Sequence, residues 1–271
     1  MSTPICAACL PCYLWRMAPI RPSAATRTAF QKRLDAAIEE MTRSVLYWTR
    51  AAYRSDTPAT VELAQDGILN DAFDKLAARW LDKFDDLAPK LAEWFAKDHK
   101  NRVDRVLKTQ LRAAGFTVKF QLSAPMRAAY SAVIDENVAL IKSISEKYLT
   151  DVKVDLMQSV QNGRDLAYLT KRLEARTGVT HRRAAFIARD QNNKATAVLA
   201  RTRMLELGIT QAKWVHSAGG KTPRPKHVAF SGQVFDLATG HDFEDGEGHV
   251  LPGEAINCRC VAVPVLPKLN G

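Results

Sequence analysis

Two cysteines separated by one residue, Cys258 and Cys260 in the run PGEAINCRC, are the side chains of this sequence best suited to holding an ion. In a β-strand, residues two apart project to the same face, so both sulfurs would aim at one point across Arg259. His227 in the run RPKH and His249 in the run EGHV would complete a set of two nitrogens and two sulfurs. Such a set favours zinc in a closed, tetrahedral structural site. Cysteines on a buried strand also serve as small hydrophobes, and both readings stand at this point. Three further cysteines, Cys6, Cys9 and Cys12, form C-x-x-C-x-x-C without a fourth ligand beside them, and no separate metal is expected there. An odd number of closely spaced thiols argues for a reducing compartment and against a disulfide framework.

A second constellation gathers His241, Asp242, Glu244, Asp245, Glu247 and His249, the carboxylates and imidazoles that a metal-dependent nuclease uses. With His227, His241 and His249 as working residues, that is the enzymatic alternative. The cluster lies in a Gly-rich stretch with no rigid support, which reads better as a solvated acidic loop. The chain contains no phosphate-binding glycine loop, nucleophile elbow or kinase signature, so a non-catalytic protein is expected.

An apolar fraction of 46% in 271 residues supports a core of one large or two ordinary domains. No apolar run approaches the roughly 18 residues of a membrane span. The formal charge is +10, and it is concentrated: between Arg164 and Lys226 there are 14 Lys/Arg against 4 Asp/Glu. A face carrying Lys171, Arg172, Arg176, Arg182, Arg183, Arg201 and Arg203 would bind duplex DNA weakly and without sequence preference, by releasing counterions. A solvated helix surface is the alternative.

These groups need a scaffold, and the expected one is a mainly α N-terminal body with a small α+β C-terminal module. Residues 1–22 read as a disordered tail, with Met17 as an alternative start. In the helical region 23–115, Ser23 caps a helix with apolar steps at Phe30, Leu34, Ile38, Met41 and Val45, a second stripe runs from Leu69 to Leu87, and Pro89 opens a third helix closed by Gly115. In the stretch 116–207, Phe116 to Leu122 alternates like a short strand, and helices follow from Pro125, Thr150 and Asp165, with stops at Gly163 and Gly178. Thr180 caps a signature helix over 180–207. Short strands at 212–216, 234–237 and 258–265 mark the module 208–271.

Along the signature helix, Arg189, Asp190 and Gln191 place polar groups where a buried stripe is expected, which suits hydrogen bonds that fix the module against the helix. In order, RAAFIARDQNNKA, Trp214, RPKH and PGEAINCRC resemble the Mu F-like minor head proteins of tailed phages, the phage head morphogenesis proteins, from about Asn137 to Pro264. The resemblance marks Arg189, Asp190, Gln191, Trp214, Pro252, Gly253 and Arg259 as its structural signature. Its relatives often carry a further C-x-x-C just after the Trp-containing strand, where this chain reads SAGGKTPRPKH. What it implies is a minor capsid protein in the virion, present in the host cytoplasm during assembly. Its implied partners are the portal protein, a scaffold or major capsid protein and packaged double-stranded DNA, with no membrane. A zinc-containing DNA-binding module is the remaining alternative.

Overall fold

The computed structural model describes residues 17–54, 62–220, 222–244, 246 and 248–265. Cys6, Cys9 and Cys12 lie outside them. Four long helices come first: α1 (Ala24–Arg54), α2 (Glu62–Ala113), α3 (Ala124–Gln161) and α4 (Leu166–Glu206). The module follows with β1 (Gln211–Val215), α5 (Pro225–Ala229), β2 (Val234–Asp236), β3 (His241–Asp242), β4 (His249–Val250) and β5 (Val261–Val265). A mainly helical body with a small α+β module is therefore what the chain forms. No helix among the described residues is long and apolar enough to cross a membrane.

The described chain divides into two compact units that do not follow the sequence boundaries at 115 and 207. One, the helical unit, comprises 23–98 and 130–192; the other, the C-terminal unit, comprises 17–22, 99–129 and 193–265. Helices α2, α3 and α4 each contribute residues to both. Met17 and Ile20 are buried, so the packed part of the C-terminal unit begins inside the stretch expected to be tail.

In the helical unit, the apolar stripe of α1 is fully buried, and Phe30 meets Phe95 of α2 at 4.3 Å between ring centroids. Ser23 caps α1 through its Oγ, which accepts the Thr26 N–H at 3.1 Å. Asp165 does the same for α4, accepting the Tyr168 N–H at 2.9 Å. Glycines 115, 163 and 208, all at positive φ, end α2, α3 and α4 as their spacing indicated.

Four expected breaks do not occur. Pro89 lies inside α2, because Phe84, Ala88, Leu91, Ala92 and Phe95 keep one buried face in phase on both sides of it, and that burial outweighs the lost backbone hydrogen bond. Thr150 lies inside α3 between buried Leu149 and Val152 for the same reason. Gly178 lies inside α4, and Thr180 returns its hydroxyl to the Arg176 carbonyl at 2.9 Å, an interior bond and not a cap. Residues 116–123, expected to hold a short strand, form no regular element. Their conformation is held by Arg203, which donates to the Gln121 carbonyl at 2.8 Å and lies 4.8 Å from the Phe120 ring.

Two buried ion clusters replace part of the expected surface charge. Asp155, with no exposed surface, accepts from Arg172 at 2.9 Å and from Arg176 at 2.8 Å. Burial alone would raise its pKa, but the hydrogen bonds from Arg176 and Arg172 win and hold the carboxyl below the usual carboxylate range. A depressed folded pKa contributes stability above the unfolded value of about 3.9 that is lost as pH falls through the folded value. Asp155→Asn should therefore lower stability at pH 7 by about 2–4 kcal/mol. It should also flatten the acid limb of the profile below about pH 4, as denaturant titrations at several pH values would show.

Candidate metal centre

The module is built on an antiparallel sheet ordered β2-β1-β5, in which Ala212 faces Phe235 on one side and Trp214 faces Ala262 on the other. Alternation along β1 leaves Ala212 and Trp214 as its buried residues. Trp214 has no exposed surface, and the rings of His227, Phe230, Phe235 and Phe243 meet it nearly edge-on, at 4.9–5.9 Å between centroids. Edge-on aromatic contacts match the positive rim of one ring to the negative face of another. Phe243 also stacks on His227 at 4.8 Å and meets Trp214 at 5.4 Å. The imidazole is thereby held against a pair of touching aromatic rings.

Cys258 and Cys260 converge on that imidazole. Their Sγ atoms lie 3.7 and 3.8 Å from His227 Nδ1, and the three donor atoms lie within 4.8 Å of one another. All three side chains are buried. With Zn–S near 2.3 Å and Zn–N near 2.0–2.1 Å, tetrahedral geometry asks for an N···S separation of about 3.6 Å. The donor set therefore fits a zinc ion at three of its four corners.

The convergence does not arise as expected. The cysteines precede β5 instead of lying in it, and the turn leading to them places Gly253 and Asn257 at positive φ. Within this turn the Gly253 N–H donates to Cys258 Sγ at 3.4 Å. His249 lies exposed on β4, where it pairs with Asp242, and is not among the grouped donors. His241 stacks on Phe230 at 3.8 Å.

The electrostatics favour one anionic sulfur, at Cys258. A hydrogen bond from the Cys260 thiol pulls the Cys258 pKa well below the ordinary thiol value, against the effect of burial, and the same proton-sharing pushes Cys260 up. Trp214 and Arg224 both favour the Cys260 thiolate. The indole N–H of Trp214 is buried without a hydrogen-bond partner, so a thiolate beside it would meet a donor otherwise left unsatisfied. N–H donors around ligating sulfurs are the usual support of a thiolate centre.

Helix α4 positions the turn. Asn193 donates its side-chain N–H to the Cys258 carbonyl at 3.2 Å, and a Cβ on Gly253 would stand 2.9 Å from the Ala197 Cβ. Glu254 of the same turn pairs with Arg201 at 3.3 Å. Of the polar trio expected to face the module, Gln191 turns to α3 instead, accepting from Asn137 at 3.1 Å and donating to Glu136 at 2.9 Å. Asp190 is buried, and Arg189 lies 5.7 Å from the Phe186 ring. Asn193, two residues beyond Gln191, makes the contact expected of the trio, and small Ala197 and Ala200 at its following helical steps are the sequence signal for it. The other signature residues fit the turn: Pro252 is buried, and Arg259 donates to the Gly219 carbonyl.

The seven cations nominated for DNA are divided between the two units. Arg172 and Arg176 are committed to Asp155, and Arg203 is buried between Asp104 at 2.7 Å and Glu206 at 2.7 Å. Arg201 is paired with Glu254, and Arg183 donates to Ser143 at 2.9 Å. Lys171, Arg182 and Arg183 are exposed.

Fold and site together define a helical protein carrying a compact module with an aromatic core and a buried imidazole–dithiol group. Residues 150–263, from the later part of α3 into the module, match the family described as Phage Mu protein F like protein. An uncharacterized protein of Haemophilus influenzae is 38% identical over 139 residues. That match covers 50% of this chain and 29% of the relative, so this chain spans well under half of the relative's length. No solved structure matches.

Gly253→Ala should cost about 2–4 kcal/mol, combining strain at positive φ with the clash on α4. Thermal unfolding of the variant beside the parent protein checks this. An unchanged melting temperature would mean that the turn does not bear on α4.

Proposed function

We propose that the protein is a non-catalytic minor head protein of a tailed phage or prophage, binding the portal protein during procapsid assembly and remaining inside the head. The observation that carries this reading is the family match over residues 150–263, which contains both the module and the helix that supports it. The burial of the three donors supports a structural role, because donors sealed in a core hold a fold together while catalytic metal sites keep a position open. In this reading His227, Cys258 and Cys260 hold zinc, which ties α5 to the turn before β5. Scaffold or major capsid protein would meet the same assembly.

Purified procapsids should contain the chain, and it should co-purify with portal protein expressed alone. Particles without it, or magnesium-, manganese- or zinc-dependent plasmid cleavage lost on His227→Ala, would overturn the proposal. Zinc should be present in the purified protein, and its removal by a chelator should lower the melting temperature; unchanged melting would remove zinc from the account.

DNA contact is a minor part of the proposal and rests on Lys171, Arg182 and Arg183. With about three phosphates neutralised, the double-logarithmic salt slope of duplex binding should be close to −3, against about −6 for seven free cations. Fluorescence anisotropy across a salt series distinguishes the two.

A further inference from the structure

Cationic charge also gathers outside the block between Arg164 and Lys226. Residues 99–129, all in the C-terminal unit, hold seven Lys/Arg against one acid, Asp104. That acid is committed within the fold, to Lys100 at 2.9 Å and to buried Arg203 at 2.7 Å. Arg105, Lys108 and Arg112 are exposed and stand at i, i+3 and i+7 of α2, so they share one face along about 10 Å of helix. Lys119 is exposed as well, and among the described residues none of these four is joined to a carboxylate.

The connection from α2 to α3 is laid beside that face. The Phe116 N–H closes the end of α2 by donating to the Leu111 carbonyl at 2.8 Å, and the Lys108 ammonium lies 5.7 Å from the Phe120 ring. At the start of α3, Arg127 donates to the Leu122 carbonyl at 3.3 Å. Two apolar side chains of the connection stay open to solvent, Phe116 at 42% and Leu122 at 46% exposure. Cations interleaved with exposed apolar groups discriminate between acidic partners. A duplex met through its backbone offers phosphates to the cations and nothing that buries Phe116 or Leu122. A helix with carboxylates on one side and an apolar stripe on the other satisfies both kinds of side chain.

We propose that Arg105, Lys108 and Arg112, with Lys119, Arg127 and the exposed Phe116 and Leu122 beside them, form a docking face for an acidic amphipathic helix of a partner protein. The inference rests on the assembly reading above and adds to it the chemistry of one protein contact. It is separate from the DNA contact, which belongs to Lys171, Arg182 and Arg183 on the helical unit. Burial of the two apolar side chains supplies affinity that salt does not screen, while the cations supply orientation and a faster encounter. Little of the connection has to be ordered on binding, because Arg203 already holds Phe120 and Gln121.

The test measures binding of the full chain to two fluorescein-labelled synthetic helical peptides by anisotropy. One carries glutamate on one face and leucine on the other; its control has the same length and charge with every leucine replaced by alanine. The leucine peptide should bind about tenfold more tightly than the control at physiological salt, the scale of burying one apolar side chain. Arg105→Gln, Lys108→Gln and Arg112→Gln together should weaken both peptides about tenfold, as the loss of three exposed ion pairs does. Phe116→Ser with Leu122→Ser should bring the leucine peptide down to the level of the control. Circular dichroism should be unchanged in both variants, since every substituted side chain is exposed. Equal binding of the two peptides, or binding indifferent to the cation variant, would overturn the docking face. A short labelled duplex should lose no affinity in the cation variant; a loss larger than that of the peptides would make this a nucleic-acid face and overturn the proposal. Procapsids that contain the chain while the peptides show none of these effects would leave the assembly reading standing without this contact. Procapsids that lack it would overturn both, since the partner is drawn from that assembly.

Discussion

Backbone meets backbone at Gly253, and the rest of the module follows from that approach. The turn after β4 comes so close to α4 that a methyl group would collide with Ala197, and Asn193 closes the contact by donating to the Cys258 carbonyl. With the turn held, Cys258 and Cys260 have little freedom in where their sulfurs point. On the opposite side Trp214 and Phe243 fix the imidazole of His227. A donor group assembled from two sides in this way is pre-organised: its ordering cost has already been met by packing, so ion binding has less entropy to overcome.

The charge of the chain illustrates how composition and surface can part company. A block of 14 cations against 4 anions suggests a basic face. In the folded protein the acids that matter are distant in sequence: Asp155 for Arg172 and Arg176, and Asp104 for Arg203. A sealed carboxylate such as Asp155 persists only because it has two guanidinium partners, and each partner is a cation withdrawn from any ligand outside. The local excess of arginine thus serves partly to neutralise buried acids within the fold.

Local signals were legible and long-range ones were not. Ser23, Asp165 and the glycines 115, 163 and 208 act through their own backbone conformation or their nearest turn, so sequence alone placed the helix ends they make. Pro89, Thr150 and Gly178 carry equally strong local signals, but burial on both sides of each overrides a penalty of about 1–3 kcal/mol. Cys258, Cys260 and His227 were recognisable because few other residue types bind soft ions. His249 was grouped with them on chemistry alone, and only three-dimensional placement separates it from the others. The side chain that bridges α4 to the turn carrying the cysteines, Asn193 and not Gln191, depends on which way a helix face turns, and the mixed polar run RDQNNK leaves that phase undetermined.

Sealing Trp214 inside the module also makes it a natural optical probe. Its ring has no contact with water, so its emission belongs at the short-wavelength edge of the tryptophan range and out of reach of dissolved iodide. His227 lies directly against that ring, so a change in how the imidazole is held alters the surroundings of a single indole and is readable without any added dye once the signals of the remaining tryptophans are subtracted.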